Sequence, residues 1–430
     1  MTNTSLPTPF ENTLTYAQKL DEQDSLKHLR AQFSIPKQPN GQDEYYFTGN
    51  SLGLQPIKAR ENVIQMLDAW QQYGVKGHFE GEYPWMPYHE FLTDHSASLV
   101  GALPEEVVMM NSLTANLHFM MASFYQPTGQ KQRILIEDHA FPSDHYAVCS
   151  QLKHHGIDES ALLLWQPRED ELLYLEDFEA LLEVHHKEIA LILLPGVQYY
   201  TGQVLPMEQL CRIARKYEIT IGLDLAHAVG NIELSLHDWQ VDFACWCSYK
   251  YLNGGAGSVA GCFVHQTHCQ NNELNRFAGW WGHDKATRFK MDNQFIPIPT
   301  AEGWQLSNPP VLSLAAIRGS LETFELAGGM KPLRAKSLLL TAYALALLSS
   351  ELGDWIKVIT PTSDEARGSQ LSLMVTKPDI DGKSLFNKLE AAGVTTDWRE
   401  PNVIRFAPVP LYNQFQDVFY FVQKLKECLS

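Results

Sequence analysis

The sequence has no surplus of positive charge. Its 33 Lys and Arg stand against 50 Asp and Glu, a formal net charge of −17. That argues against a nucleic-acid partner and against docking on anionic lipid, while a locally positive pocket could still take an anionic small molecule. Cysteine is sparse, with seven in 430 residues. None are spaced as CxxC, so neither a zinc knuckle nor a redox dithiol is signalled, and no metal is expected. Cys245 and Cys247 alternate in an apolar run, as buried reduced thiols do, which fits a reducing cytosol. No apolar stretch approaches the ~20 residues needed to span a bilayer. The opening residues carry neither the basic nor the apolar region of a signal peptide. A soluble, cytoplasmic protein with no membrane partner is the expectation. Internal repeats, low-complexity segments, a P-loop and a strand-placed dinucleotide-binding glycine fingerprint are also missing.

What is present has the pattern of a layered enzyme. A hydrophobic fraction of 45% is ordinary for a globular chain. The length exceeds what one core sustains, so a large domain and a smaller one are expected. Residues 12–34 read as a surface helix. Residues 56–73 read as a helix with Pro56 at its first position and Val63, Ile64, Leu67 and Trp70 on its apolar face. Apolar runs at 133–137, 161–165, 189–194, 220–224, 243–247 and 259–264 suit strands buried on both faces. Helical stretches at 142–154, 176–186 and 207–217 lie between them. The alternation predicts an α/β fold, a mostly parallel sheet flanked by helices. From 313 to 350 the pattern is helical, with a break near Gly328-Gly329. Strands near 371–376 and 403–406 with helices near 382–391 and 413–427 then predict a smaller C-terminal α+β domain. The expected division is an N-terminal arm over 1–48 associated with the small domain, a large domain over 49–312 and a small one over 313–430.

Ligands of such sheets sit beyond the carboxyl ends of the strands. The polar residues to inspect there are Asp138-His139, Gln198-Tyr199-Tyr200, Asp224 with His227, and Ser248-Tyr249-Lys250. Asp224 ends an apolar run; its carboxylate could hold a ring nitrogen protonated, and equally it could cap a helix. A lysine ending a buried strand is unusual, because a buried ammonium is costly unless paired or deprotonated, and a free amine attacks aldehydes. The glycines of Asn253-Gly254-Gly255-Ala256-Gly257 allow close backbone approach, a weak signal alone. Together, an acid ending one strand and a lysine ending the next meet the needs of pyridoxal-5′-phosphate (PLP): a partner for the pyridinium nitrogen and an amine for the aldehyde.

That Asp–Lys arrangement resembles the fold-type I PLP enzymes, in the branch of class V aminotransferases and cysteine desulfurases. Seven strings narrow it: Gly49-Asn50-Ser51-Leu52-Gly53, Tyr83-Pro84-Trp85, Phe141-Pro142-Ser143-Asp144, Gly196-Val197-Gln198-Tyr199-Tyr200-Thr201-Gly202-Gln203, Ser248-Tyr249-Lys250-Tyr251-Leu252-Asn253, Gly279-Trp280-Trp281-Gly282-His283 and Arg405-Phe406-Ala407-Pro408-Val409-Pro410-Leu411-Tyr412-Asn413. In this order, across nearly the whole chain, they resemble the kynureninases. Two departures are Pro195, where some relatives carry Ser, and Ala256, where some carry Pro.

The resemblance implies a site. Leu113 and Thr114 hold the cofactor phosphate. Phe141 stacks on the ring, with Pro142, Ser143 and Asp144 beside it. Asp224 meets the ring nitrogen with His227 nearby, Lys250 carries the cofactor as a Schiff base, and Tyr249 bonds the phosphate and moves protons. Trp280 and Asn308 reach the pocket across a homodimer interface. Ser51, His78 and Asn308 line the substrate pocket, and Arg405 grips the α-carboxylate. Lys250, Tyr249 and Asp224 are the catalytic set. The implied reaction is hydrolysis of the Cβ–Cγ bond of L-kynurenine, or of 3-hydroxykynurenine, to anthranilate (or 3-hydroxyanthranilate) and L-alanine, in tryptophan catabolism or NAD biosynthesis. Three rivals are a class V aminotransferase, a cysteine desulfurase and a non-catalytic PLP-binding regulator. A desulfurase needs a nucleophilic cysteine on a C-terminal loop, and none lies between Cys269 and Cys428. A regulator would usually bring a basic DNA-binding segment, and none is visible.

Overall fold

The structure, a computed structural model, describes residues 10–271 and 273–430. Seven strands form the main sheet: β1 (Val107–Met109), β2 (Arg133–Glu137), β3 (Leu162–Trp165), β4 (Ile189–Pro195), β5 (Thr220–Asp224), β6 (Phe243–Trp246) and β7 (Gly261–Val264). Their spatial order is β1-β7-β6-β5-β4-β2-β3. The run β6-β5-β4-β2-β3 is parallel, and β7 is antiparallel to both β6 and β1. The mostly parallel sheet expected from the alternation is therefore present.

The strands are apolar on both faces because both faces are covered. In β4, Ile192 and Leu194 join one core cluster with the helices Leu175–His185, Met207–Lys216 and Val311–Leu326. Leu191 and Leu193 point the other way, into a cluster with the helices Leu113–Phe124 and Pro142–His154. This period-two division is what a central parallel strand imposes. Seven cysteines are free, and Cys245 and Cys247 are buried.

A second core lies in the C-terminal part. There β8 (Ile356–Val358), β9 (Leu371–Val375), β10 (Asp397–Arg399) and β11 (Val403–Phe406) form an antiparallel sheet ordered β8-β9-β11-β10. The helices Met330–Leu352, Gly382–Ala391 and Phe415–Leu429 pack with it, and Phe406 stacks on Phe421 at 4.0 Å. Ala17 and Phe47 from the N-terminal segment belong to this cluster. Asp21 fixes that contact: its carboxylate accepts from Phe415 N (2.7 Å) and Gln416 N (3.1 Å), orphan donors at a helix start.

Several expectations are corrected. The helix read over 12–34 is Leu14–Gln23 followed by a 3-10 turn, and Phe33–Ser34 then pairs with Gln55–Pro56. Pro56 is the N-cap, one residue before the helix Ile57–Tyr73. That helix buries Ala59, Asn62 and Met66 instead, leaving Ile64, Leu67 and Trp70 exposed. The helix Val311–Leu326 crosses it so closely that a Cβ on Gly319 would stand 2.5 Å from Ala59 N, so the small residues face inward. Met330–Leu352 is also long and apolar enough to cross a bilayer by length and composition, contrary to the reading that no such stretch exists. Leu340, Tyr343, Ala344, Leu347 and Leu348 of this helix are buried in the second cluster, as in a core helix.

Candidate functional site

A cavity of about 200 Å3 opens at the carboxyl ends of β2, β4, β5 and β6. Glu137, Pro195 and Asp224 are the last residues of their strands, and Tyr249 and Lys250 follow β6. After Lys250 the chain doubles back, Gly254 N donating to Ser248 O at 2.8 Å and Asn253 holding φ at 53°. Gly53 N donates to Tyr249 O at 2.8 Å, which ties the Gly49–Gly53 string to the lysine turn. Two helix starts border the same space. Leu113–Phe124 begins after Ser112, whose side chain makes no cap bond, and Pro142–His154 begins after Phe141 with proline at its first position. Thr114 Oγ1 and Ser143 Oγ lie 2.8 Å apart, linking the two starts. Free backbone N–H groups at helix starts, with hydroxyls beside them, suit a phosphate.

The amine at the centre has an uncharged neighbour. Lys250 Nζ is 2.9 Å from His227 Nε2. Burial, then the charges of Lys250 and Arg405, push the His227 imidazole well down, so it is neutral at pH 7. Its Nδ1 is buried and has no partner among the described residues. The Phe141 ring centroid lies 6.0 Å from Nζ, and Tyr199 meets that ring edge-on at 5.3 Å. Burial pushes the Tyr249 phenol up, with the Cys247 thiol adding to the effect, so the phenol stays a donor.

The acid side holds three carboxyls: Glu137, Asp144 and Asp224. Asp224 Oδ1 accepts from Ala226 N at 2.7 Å. Burial, then the charge on Asp224, holds the Asp144 carboxyl well above the usual range. Burial does the same to Glu137, again with Asp224 adding to it. A carboxylate at a strand end, beside acids that burial holds above their usual range, suits one cationic ring nitrogen. An amine with a neutral partner, an orphaned buried imidazole nitrogen, two open helix starts and this acid cluster fit PLP.

Of the residues singled out from the sequence, Leu113, Thr114, Phe141, Ser143, Asp144, Asp224, His227, Tyr249 and Lys250 line this cavity. Pro142 adjoins them as the first residue of its helix. Arg405, only 1% exposed, does not line the cavity itself, but it donates through Nη1 to the backbone oxygen of Tyr199, a lining residue, at 2.8 Å. Four others do not line the cavity of the single chain: Ser51, His78, Trp280 and Asn308. Trp280 is partly exposed, its Nε1 donating to Arg288 O at 3.1 Å, and Asn308 is exposed. Asp138 and His139 also stay outside. Sequence reasoning missed Glu137 and Asp397. Glu137 carried a signal, since an acid ending a buried strand is the criterion that found Asp224. Asp397 carried none, because its partner Arg405 is chosen by sheet register.

Residues 333–425 match the family model of the kynureninase C-terminal domain, and residues 44–243 match that of aminotransferase class I and II. A kynureninase of Xanthomonas campestris is 51% identical over 414 residues, covering 96% of this chain and 97% of its own. One from Koribacter versatilis is 49% identical over 417 residues with the same coverage. Among solved structures, a complex of the cystine C–S lyase C-DES superposes with a TM-score of 0.76 at 17% identity, over 90% of this chain and 99% of that one. A cysteine desulfurase from Thermococcus onnurineus superposes with a TM-score of 0.73 at 16% identity, over 93% and 97%. At such identities the solved structures show the fold alone. The relatives at about half identity over nearly the full length show more: the chain belongs to the kynureninase family.

Proposed function

We propose that this protein is a PLP-dependent hydrolase that cleaves the Cβ–Cγ bond of L-kynurenine, releasing anthranilate and L-alanine. The observation that carries this is one cavity in which Lys250, Asp224 and two helix starts converge, with Arg405 bonded to the backbone of Tyr199 in its wall. The bound cofactor supplies an electron sink for the reacting amino acid. The chain supplies the rest. Lys250 Nζ would hold the cofactor, and its amine would take the Cα proton of the reacting amino acid. His227, its imidazole pushed down by burial, stands beside that amine as an uncharged neighbour. Asp224 holds the ring nitrogen protonated. Leu113, Thr114 and Tyr249 hold the phosphate, and Tyr249 returns the proton to the alanine carbon. Phe141 covers the ring. Arg405 fixes the substrate carboxylate through its planar fork.

Ser51, His78, Trp280 and Asn308 complete the site in a cytoplasmic homodimer, where Trp280 and Asn308 come from the second copy. Support for that assembly comes from the exposed row Ile57, Ile64, Leu67, Trp70, Val75 and Phe79, an apolar surface of the kind that a subunit covers. The chain divides into an N-terminal arm attached to the small domain, a large domain and a small domain. The packing of Val311–Leu326 in the larger core supports grouping that helix with the large domain, so that the small one begins after Gly328-Gly329. Purified protein given L-kynurenine and 3-hydroxykynurenine should release the aromatic acid and alanine in equal amounts. Lys250→Ala should abolish both turnover and the visible absorbance of the imine-bound cofactor. Continued anthranilate release by that variant refutes the scheme.

A further inference from the structure

Arg405 does not stand alone. It lies on β11 directly opposite Asp397 of β10 in the antiparallel register. Its Nη2 donates to Asp397 Oδ2, and the carboxylate is itself largely buried. The same Oδ2 accepts from Arg399 Nη2 at 3.2 Å, while Arg399 Nη1 faces Oδ1 at 3.2 Å. Two guanidiniums thus share one carboxylate, which leaves one positive charge for an arriving anion. On the other side, Tyr199 O accepts from Arg405 Nη1 and also from Gln370 Nε2 at 3.0 Å, and Gln370 Oε1 accepts from Asn50 Nδ2 at 2.7 Å. Both ends of the Arg405 fork are therefore held, and its Nε is buried without a partner among the described residues.

We propose that Asp397 is a positioning residue for substrate recognition: it fixes the plane and reach of the Arg405 guanidinium so that the fork meets the α-carboxylate of the amino acid. This rests on the reading of Arg405 given above. A guanidinium rewards a carboxylate only when the two planes and both N–H directions agree. The side chain of Arg405 is long, and the cross-strand partner anchors it through backbone register rather than through a mobile loop.

Simple Coulomb attraction predicts the opposite outcome, which makes the inference testable. Asp397 is a negative charge near the place where a substrate carboxylate arrives, so charge alone says that Asp397→Asn tightens binding. Positioning says that it weakens binding.

The experiment uses the holoenzyme and three variants: Asp397→Asn, Asp397→Glu and Arg405→Lys. It measures kcat and KM for L-kynurenine. It also measures binding of L-alanine and of ethylamine, which lacks the carboxylate, from the cofactor absorbance. Asp397→Asn should raise KM and the Kd for L-alanine by about tenfold or more with kcat within about threefold, the signature of lost ground-state binding. Ethylamine binding should stay unchanged. Asp397→Glu keeps the charge on a longer arm and should fall between wild type and Asn, so it reports even if the Asn variant fails to fold. An unchanged or lower KM in Asp397→Asn, with KM raised in Arg405→Lys, overturns the role of Asp397 alone. Equal loss of L-alanine and ethylamine binding also overturns it, as damage to the fold. An unchanged KM in Arg405→Lys instead overturns the reading of Arg405.

Discussion

Gly53→Ala probes how the lysine turn is held. Gly53 lies outside the left-handed region, so its backbone accommodates alanine without strain, and any effect comes from the added methyl. That methyl would sit well inside van der Waals contact of the Lys250 carbonyl oxygen and the Asn253 Oδ1, and 2.9 Å from Asn253 Cα. Ordinary contact begins near 3.4 Å, so the 250–253 turn must retreat by about half an ångström at Asn253 Cα and by about an ångström at the Lys250 carbonyl. Overpacking of this kind costs about 1–3 kcal/mol. At roughly 2.1 cal/mol/K of unfolding entropy per residue, a chain of 430 residues loses only about 1–3 °C of Tm for that cost. Catalysis is more sensitive, because misplacing a reacting group by about 1 Å costs on the order of a hundredfold. The expected result is therefore a small drop in Tm with kcat reduced by about ten- to a hundredfold, and an altered cofactor spectrum. Differential scanning calorimetry and steady-state kinetics on the same preparation decide it. Unchanged kcat, or a large Tm loss matching the kcat loss, refutes the idea that Gly53 sets the position of Lys250.

Other perturbations follow from the same geometry. Glu137 is pushed well above its usual value of 4.5, so the folded cofactor-free protein binds its proton more tightly than the unfolded chain. Its contribution to stability is full below pH 4.5 and declines as pH rises toward the folded value, by up to about 1.4 kcal/mol per pH unit in that window. Glu137→Gln should therefore gain stability over wild type at pH 8 but not at pH 4, measured by urea unfolding; equal curves at both values refute an upward shift of the Glu137 carboxyl. Asp21→Ala removes the acceptor for two N–H donors of the C-terminal helix and should cost about 1–2 kcal/mol, with earlier proteolysis of the N-terminal segment. Unaltered protection of that segment would contradict the docking role. Trp70→Glu places a charge at the centre of the exposed apolar row and should weaken the proposed dimer by about a hundredfold or more, read by sedimentation. A variant that stays dimeric at low concentration moves the interface elsewhere.

Much of the large domain was legible in the sequence because a parallel sheet covered on both faces needs continuous apolar strands. Strand ends are also where such sheets place ligands, so Asp224, Tyr249 and Lys250 could be found by position. The misreadings share one cause. Ile64, Leu67 and Trp70 form an apolar stripe, and a stripe alone does not say which side the rest of the chain covers. The crossing at Gly319 settled that, burying Ala59 and Met66 instead. Met330–Leu352 is apolar because the C-terminal sheet and helix pack on it.

The sequence by itself determined the layered α/β class, the acid and amine at successive strand ends, and the family, through ordered strings that local chemistry and spacing preserve. Only the tertiary structure decided which charged groups share a dielectric and a partner. The Glu137 and Asp144 carboxyls are pushed up by burial around Asp224. His227 is turned toward Lys250 as a neutral neighbour. Asp397 is placed on Arg405 by the register of two antiparallel strands. Burial, field and cross-strand register arise between segments far apart in the chain, so no local pattern encodes them.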